Sequence, residues 1–236
     1  PKTTNVRDDM VKMVESFRPD LIAMSVVEDT FPLGVRLLQA IRHFDIPVII
    51  GGVFPTFAPS KAIAIDEVDM VCVGEGEHAL LELCKRMRNG EDYHDIPNLW
   101  VKDKYSPDGT KLLTQRITKN PLGPRVDIDD VPLPDFSPFE EARLYRPMAG
   151  KVYRMIPFET HRGCPYQCAF CNSPSQNVLY KQGSNVNYFR RRSMDSIRRE
   201  MDFLVNRWDP EYIYFTADTF LAWSDKEFDE FIETYT

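Results

Sequence analysis

No apolar run in the 236 residues approaches the ~20 consecutive positions that a membrane-spanning helix requires. No charged-then-apolar leader opens the chain, so nothing marks it for secretion. An excess of positive charge is missing too. The formal charge is −7, from 29 Lys and Arg against 36 Asp and Glu, which argues against broad affinity for nucleic acid while leaving room for a local basic patch. Cysteine is scarce: five in all, three of them in one short run. That is no disulfide framework and fits a reducing compartment, the cytoplasm. What is present is the composition of an ordinary soluble globular protein, 43% hydrophobic and 28% charged. The length suffices for one large domain or two ordinary ones, each with its own core.

The three clustered cysteines sit in Thr160-His161-Arg162-Gly163-Cys164-Pro165-Tyr166-Gln167-Cys168-Ala169-Phe170-Cys171, a C-x3-C-x2-C spacing with no fourth cysteine nearby. Three thiolates on one short loop can hold three corners of a cubic [4Fe–4S] cluster. Structural clusters take four cysteines, so a set of three leaves one iron open to another ligand. A zinc site with His161 as fourth ligand is the alternative. Zinc ligands usually come as paired hooks across a longer loop, whereas here there is one hook, with His161 three residues ahead of Cys164. Three packed cysteines without a role would make the spacing beside Gly163 and Pro165 a coincidence.

Ahead of the hook, short apolar runs alternate with amphipathic stretches. Residues 6–17 put Val6, Met10, Val11, Met13, Val14 and Phe17 on one face of a predicted helix. The run 21–26 is continuously apolar, as in a strand buried on both faces of a parallel sheet. There follow a helix over 32–43, a strand over 47–50, a helical turn over 60–64, a strand over 68–73 and a helix over 79–88. This alternation specifies an α/β fold, a Rossmann-like doubly wound parallel sheet. In such sheets ligands bind beyond the carboxyl ends of the strands. The loops 25–29, 51–56 and 74–77 lie there. Their glycines let a backbone approach a bulky ligand, although Gly51-Gly52 alone would be only a tight turn.

The segments PDLIAMSV (19–26), VIIGGVFPTFAP (48–59) and VDMVCVGEGEHALLEL (68–83) resemble the cobalamin-binding domain found ahead of many radical S-adenosylmethionine (SAM) domains. With the cysteine hook, the chain resembles a radical SAM enzyme with an N-terminal cobalamin (B12)-binding domain. The resemblance implies a [4Fe–4S] cluster on Cys164, Cys168 and Cys171 whose open iron chelates the amino and carboxylate groups of SAM. An electron from the cluster then cleaves the sulfonium to a 5′-deoxyadenosyl radical. It implies cobalamin at Ser25, Gly51, Gly52, Thr56, Gly74, Glu75 and Gly76, with the middle loop against the corrin and its nucleotide tail. Glu75 and Glu77 come within reach of that tail, though helix capping explains both glutamates as well.

Phe170 is implied to lie against the adenine, where ordinary packing would also account for it. Asp218, in Ala217-Asp218-Thr219-Phe220, falls where cobalamin-linked members often carry an Asp-Asp pair that recognises the amino group of SAM. Ala217 replaces the first Asp, and capping of the next helix is the competing role for Asp218. The D-x-H-x-x-G motif that ligates cobalt in several cobalamin enzymes is absent, since none of the histidines at 43, 78, 94 and 161 has its neighbours. That implies cobalt without a histidine ligand. The alternative is a degenerate domain that no longer binds cobalamin.

Three segments result. Residues 1–91 form the cobalamin-binding domain, its first strand expected upstream of Pro1. Residues 92–150 form a hairpin, 99–101 and 112–114 around Pro107-Asp108-Gly109, followed by a proline-rich linker. Residues 151–236 form the first part of a radical SAM (β/α) partial barrel, with a strand at 155–160 that delivers the hook, a helix at 194–208, a strand at 212–215 and a helix at 225–235. Both ends read as cut, so the chain is expected to be part of a longer protein. Arg190, Arg191 and Arg192, with Arg198 and Arg199, make the one concentrated basic patch. It suits a carboxylate or phosphate, while a solvated face is the commoner meaning of such a run. Glu200 is expected to pair with a neighbour on its own helix.

The expected function is that of a cobalamin-dependent radical SAM enzyme methylating an unactivated carbon or phosphorus centre. It would act on a small-molecule or peptide substrate with a reductase or flavodoxin-type electron donor. Relatives with the same domain order instead carry out oxidative cyclisation or rearrangement. A non-catalytic, zinc-stabilised binding module is the reading from another class. A methylthiotransferase would need further cysteines in the N-terminal domain, where Cys72 and Cys84 both read as apolar core positions.

Overall fold

The computed structural model describes residues 5–105 and 111–235. Helix α1 (Val6–Phe17) opens at Asn5, whose side chain accepts from the Arg7 N–H, with Asp8 and Asp9 in the first turn favouring the positive end of the helix dipole. It closes at Arg18, left-handed at φ 52°, whose N–H returns to the Val14 carbonyl. There follow β1 (Ile22–Ser25), α2 (Phe31–Ile41), β2 (Val48–Gly51), α3 (Val53–Phe57), α4 (Pro59–Ile63), β3 (Met70–Cys72), α5 (Glu77–Asn89), β4 (Leu99–Tyr105) and β5 (Lys111–Lys119). These belong to a first compact unit that extends to Pro124.

The strands of the first sheet lie in chain order, β1-β2-β3 parallel and β4 and β5 antiparallel. Alternate side chains go to opposite faces, as the two-residue period of a strand demands. Ile22, Val48, Ile50 and Val71 cluster with Val14, Leu38, Ile41 and Ile63 of the helices, whereas Ile49, Met70, Cys72 and Val101 cluster with Ala79 and Leu83 of α5. Helices therefore cover both faces, and α/β is the fold class. The sheet is mixed rather than wholly parallel, because the hairpin pairs with β3 (Met70 opposite Val101) instead of standing apart in a linker. The hairpin turn expected at 107–109 lies outside the described residues. Residues 92–150 are thus divided, the hairpin extending the first sheet and the residues from Arg125 belonging to the second unit.

The second unit contains β6 (Tyr145–Met148), β7 (Lys151–Phe158), β8 (His161–Arg162), α6 (Ser173–Ser184), β9 (Arg190–Arg191), α7 (Met194–Trp208), β10 (Tyr212–Phe215) and α8 (Asp225–Tyr235). Its three-stranded sheet has the order β10-β7-β6. Strands β7 and β10 run parallel with Phe158 opposite Phe215, so the chain leaves both at the same end of the sheet. Helix α7 packs Ile197, Met201 and Leu204 against Ile156 and Phe158. This is the βαβ unit expected at the opening of a radical SAM barrel. No helix among the described residues is long and apolar enough to cross a membrane.

The basic run is divided: Arg198 and Arg199 are exposed on α7, whereas Arg190, Arg191 and Arg192 are bonded to protein groups. Arg192 is 5% exposed and bonds Glu200 at 2.5 Å and the Ser196 hydroxyl at 2.9 Å, so the partner of Glu200 precedes α7 instead of lying on it. Arg190 donates to the Val126 and Tyr188 carbonyls, and Arg191 to the Ala222 carbonyl and Glu227. The arginines brace β9 against its surroundings. Burial pushes the Glu200 carboxyl above its ordinary value, against the pull of the guanidinium beside it. Breaking a buried pair leaves one charge uncompensated, so Arg192→Met is expected to destabilise the second unit by about 3–5 kcal/mol in urea unfolding. The double variant Arg192→Met/Glu200→Leu recovers most of that loss. A single-variant loss under about 1 kcal/mol, the range of exposed pairs, contradicts the assignment.

Candidate functional site

The cysteine loop leaves the carboxyl end of β7 and is fixed at once by the β8–β9 pairing, His161 opposite Arg191 and Arg162 opposite Arg190. Gly163 follows with φ +83°, and a Cβ there would come 2.8 Å from the Tyr188 ring and 3.0 Å from Phe189 Cα. Only glycine meets both conditions. Cys164 is buried and its carbonyl accepts from the Asn177 amide at 2.9 Å, while Cys168 and Cys171 are exposed. The Cys171 N–H returns to the Cys168 carbonyl at 3.1 Å, closing a turn. Cys171 Sγ accepts the Ser173 N–H at 3.5 Å, and the bonds from Ser173 hold this thiol below its ordinary value. Backbone N–H groups aimed at sulfur favour the thiolate, the form that binds iron. Phe170 is 94% exposed on the loop, so packing among the described residues does not account for it.

Two further residues bear on the cysteine loop. His161 is fully buried, with Nε2 against the Thr219 carbonyl and Nδ1 3.0 Å from the Thr160 hydroxyl, so neither ring nitrogen is available to a metal. Burial holds the imidazole below its ordinary value, the Thr219 carbonyl opposing this only in part. Soft thiolates in a set of three fit a [4Fe–4S] cluster, one at each of three corners. The second residue is Asp218, exposed beyond the end of β10, whose Oδ2 accepts the Gly163 N–H at 2.8 Å. It does not cap the next helix; the Ser224 hydroxyl does that, accepting the Glu227 N–H at 3.3 Å.

In the first unit the three loops at the carboxyl ends of β1, β2 and β3 are locked to one another. Gly52 has φ +98°, and a Cβ there would sit 2.7 Å from the Val26 carbonyl and 2.8 Å from Ser25 Oγ. Thr56, 7% exposed, donates to the Gly52 carbonyl at 2.8 Å and accepts the Gly74 N–H at 3.0 Å, bridging the second and third loops. Gly51 and Gly76 both lie against Cys72, at 3.6 and 3.7 Å from where a Cβ would stand. Glu75 is buried and its carbonyl accepts the Asn98 amide at 2.8 Å. Ser25 is exposed, and Val27, Val53 and Phe57 leave an apolar rim around these loops. Uncovered apolar groups beside a glycine-rich backbone fit a flat, bulky ligand such as a corrin.

Asn98 carries no sequence signal. It holds φ +71°, is buried, and bonds Gly123 N–H at 2.5 Å as well as Glu75, supporting the third loop from behind. Its tolerance of left-handed backbone is the one hint its residue type gives. Cys72 is buried, and burial pushes its thiol up to about 12, favouring the protonated form. Cys84 is exposed on α5, contrary to the core position read from its apolar neighbours. A cavity of about 390 Å³ beside Tyr93, His94 and Lys102 opens at the opposite end of the sheet, near the starts of β2 and β3.

Family models match two parts of the chain. Residues 2–84 match the B12 binding domain family and residues 158–236 the Radical SAM superfamily. The chain joins a B12-binding domain to a radical SAM domain. An uncharacterized methyltransferase of Pyrococcus horikoshii is 24% identical over 219 residues, covering 90% of this chain and 42% of that protein. The cobalamin-dependent SAM radical enzyme OxsB, solved with aqua-cobalamin and SAM bound, superposes with a TM-score of 0.65 at 19% identity, over 99% of this chain and 30% of that one. The radical SAM methyltransferase TsrM of Kitasatospora setae, solved with cobalamin and a [4Fe–4S] cluster, gives 0.61 at 18% identity, over 98% and 42%. At these identities the structures show a shared fold. The chain spans less than half the length of each of these three proteins. Within it, the B12-binding domain carries the glycine loops and the radical SAM domain the cysteine loop.

Proposed function

We propose that this chain is the cofactor-binding portion of a cobalamin-dependent radical SAM enzyme that methylates an unactivated carbon or phosphorus centre. The observation that carries the reading is the bond from the Gly163 N–H to Asp218 Oδ2, which brings the cysteine loop and the loop after β10 to one place. Cys164, Cys168 and Cys171 would hold a [4Fe–4S] cluster, and the loops at Ser25, Gly51, Gly52, Thr56, Gly74, Glu75 and Gly76 would hold cobalamin. When bound, the cluster supplies the electron that splits the sulfonium of SAM, and cobalamin supplies the methyl group.

The protein's own residues have separate tasks. The Ser173 N–H steadies Cys171 as thiolate. Asp218 accepts the Gly163 N–H through Oδ2, and its carboxylate would accept from the ammonium group of SAM. Phe170 would cover the adenine. Thr56 and the glycines would let the backbone come close to the corrin, and Val27, Val53 and Phe57 would shield its edge from water. A small-molecule or peptide substrate and a flavodoxin-type or other reductase complete the proposal. The names of relatives support methyl transfer, the P. horikoshii protein and TsrM both being named methyltransferases.

The test is product analysis. Anaerobically purified protein supplied with SAM, cobalamin and a chemical reductant is expected to release both 5′-deoxyadenosine and S-adenosylhomocysteine, read by mass spectrometry. Deoxyadenosine without S-adenosylhomocysteine replaces methyl transfer by cyclisation or rearrangement. Release of neither contradicts the reading.

A further inference from the structure

His161 has no part in the cofactor assignments above, yet it is fully buried at the site. Its ring is fully buried and meets the edges or faces of two aromatic rings, Phe189 at 5.7 Å and 77° and Trp223 at 5.6 Å and 88°. The partner of Nε2 is the Thr219 carbonyl, which can only accept, so Nε2 carries the proton. Nδ1 then accepts from the Thr160 hydroxyl at 3.0 Å. One tautomer and one ring orientation follow. Thr219 is the neighbour of Asp218, so the loop after β10 is tied to the cysteine loop twice, once through the Asp218 carboxylate and once through the Thr219 backbone.

The two ties are not equivalent. Asp218 is exposed, and a single bond on an exposed side chain stabilises little because water competes for both partners. The His161 bond has a fully buried ring on one side and acts on the main chain on the other, so it fixes where the Asp218 Cα stands. Arg191, from β9, adds a bond to the Ala222 carbonyl further along the same loop. We propose that His161 is a positioning residue for SAM: it sets the loop after β10, and with it the Asp218 carboxylate, against the cysteine loop. This deepens the proposed function and rests on its assignment of Asp218 to the SAM ammonium group.

The test compares wild type, His161→Phe and His161→Gln, each reconstituted anaerobically with iron and sulfide. Phenylalanine keeps a ring between Phe189 and Trp223 but offers Thr219 no donor; glutamine keeps a donor near the Nε2 position. Iron content is read first, then SAM affinity from the change that SAM makes in the electron paramagnetic resonance spectrum of the reduced cluster. All three proteins are expected to load the cluster. His161→Phe is expected to bind SAM about tenfold more weakly, the loss of one hydrogen bond from a buried ring, and His161→Gln to stay within about threefold of wild type. Wild-type affinity in His161→Phe overturns the proposal. Loss of the cluster in His161→Phe without rescue by His161→Gln also overturns it, by making His161 a purely structural residue. A wild-type protein that loads the cluster but shows no spectral response to SAM sinks the underlying reading instead.

Discussion

Cys168→Ala is expected to abolish cluster assembly, taking iron from about four per chain to near zero and ending deoxyadenosine formation. Cys168 lies on the exposed part of its loop, so the substitution removes a ligand without opening a cavity in the core. Cys72 is buried with its thiol pushed up to about 12, and Cys84 lies on α5, eighty positions before the hook. Fold and ligand loss are therefore separable, and circular dichroism should match wild type. A complete [4Fe–4S] absorption and paramagnetic signal in this variant would contradict the ligand assignment.

Gly52→Val is expected to lower cobalamin affinity more than tenfold while leaving iron loading unchanged. Two costs add at this position. A β-branched residue at φ +98° is strained by at least the roughly 1–2 kcal/mol of a left-handed residue. Its Cβ would also stand 2.7 Å from the Val26 carbonyl, a backbone atom that cannot turn aside. The first and second loops must then part, and with them the surface proposed for the corrin. The second unit has its own core around Ile156, Phe158 and Ile197, so the cluster should be indifferent to the change. Equal cobalt content in variant and wild type would remove the middle loop from the cobalamin site.

Much of this architecture is legible in the residues. The elements at 6–17, 194–208, 212–215 and 225–235 stand where apolar periodicity and end signals put them, with Asn5 and Ser193 as side-chain caps. Helix α6 is not legible, because Ser173–Ser184 is largely polar and buries only Ser173 and Tyr180. Strands β8 and β9 are two residues each and carry no period at all. Strand β6 is exposed along its length, so alternation does not reveal it. The attachment of the hairpin to β3 is a pairing across some thirty positions, which no local pattern encodes.

The same divide runs through the candidate site. Residue types and spacing pick out the cysteines, the loop glycines and Asp218. They do not pick out the bonds that set those groups, such as Gly163 to Asp218, His161 to Thr219 and Asn98 to Glu75, which join residues remote in the chain. Glu200 is instructive, for helical spacing suggested a partner on α7 while the fold supplied Arg192 from just before it. Tertiary contacts overrode the local rule.

The most direct test of the central claim is anaerobic reconstitution with iron, sulfide and hydroxocobalamin, followed by desalting and metal analysis. The account predicts about four iron atoms and one cobalt per chain, with absorption from both cofactors. Iron without cobalt would mean that the glycine loops no longer serve cobalamin, and stoichiometric zinc in a colourless protein would contradict the account outright.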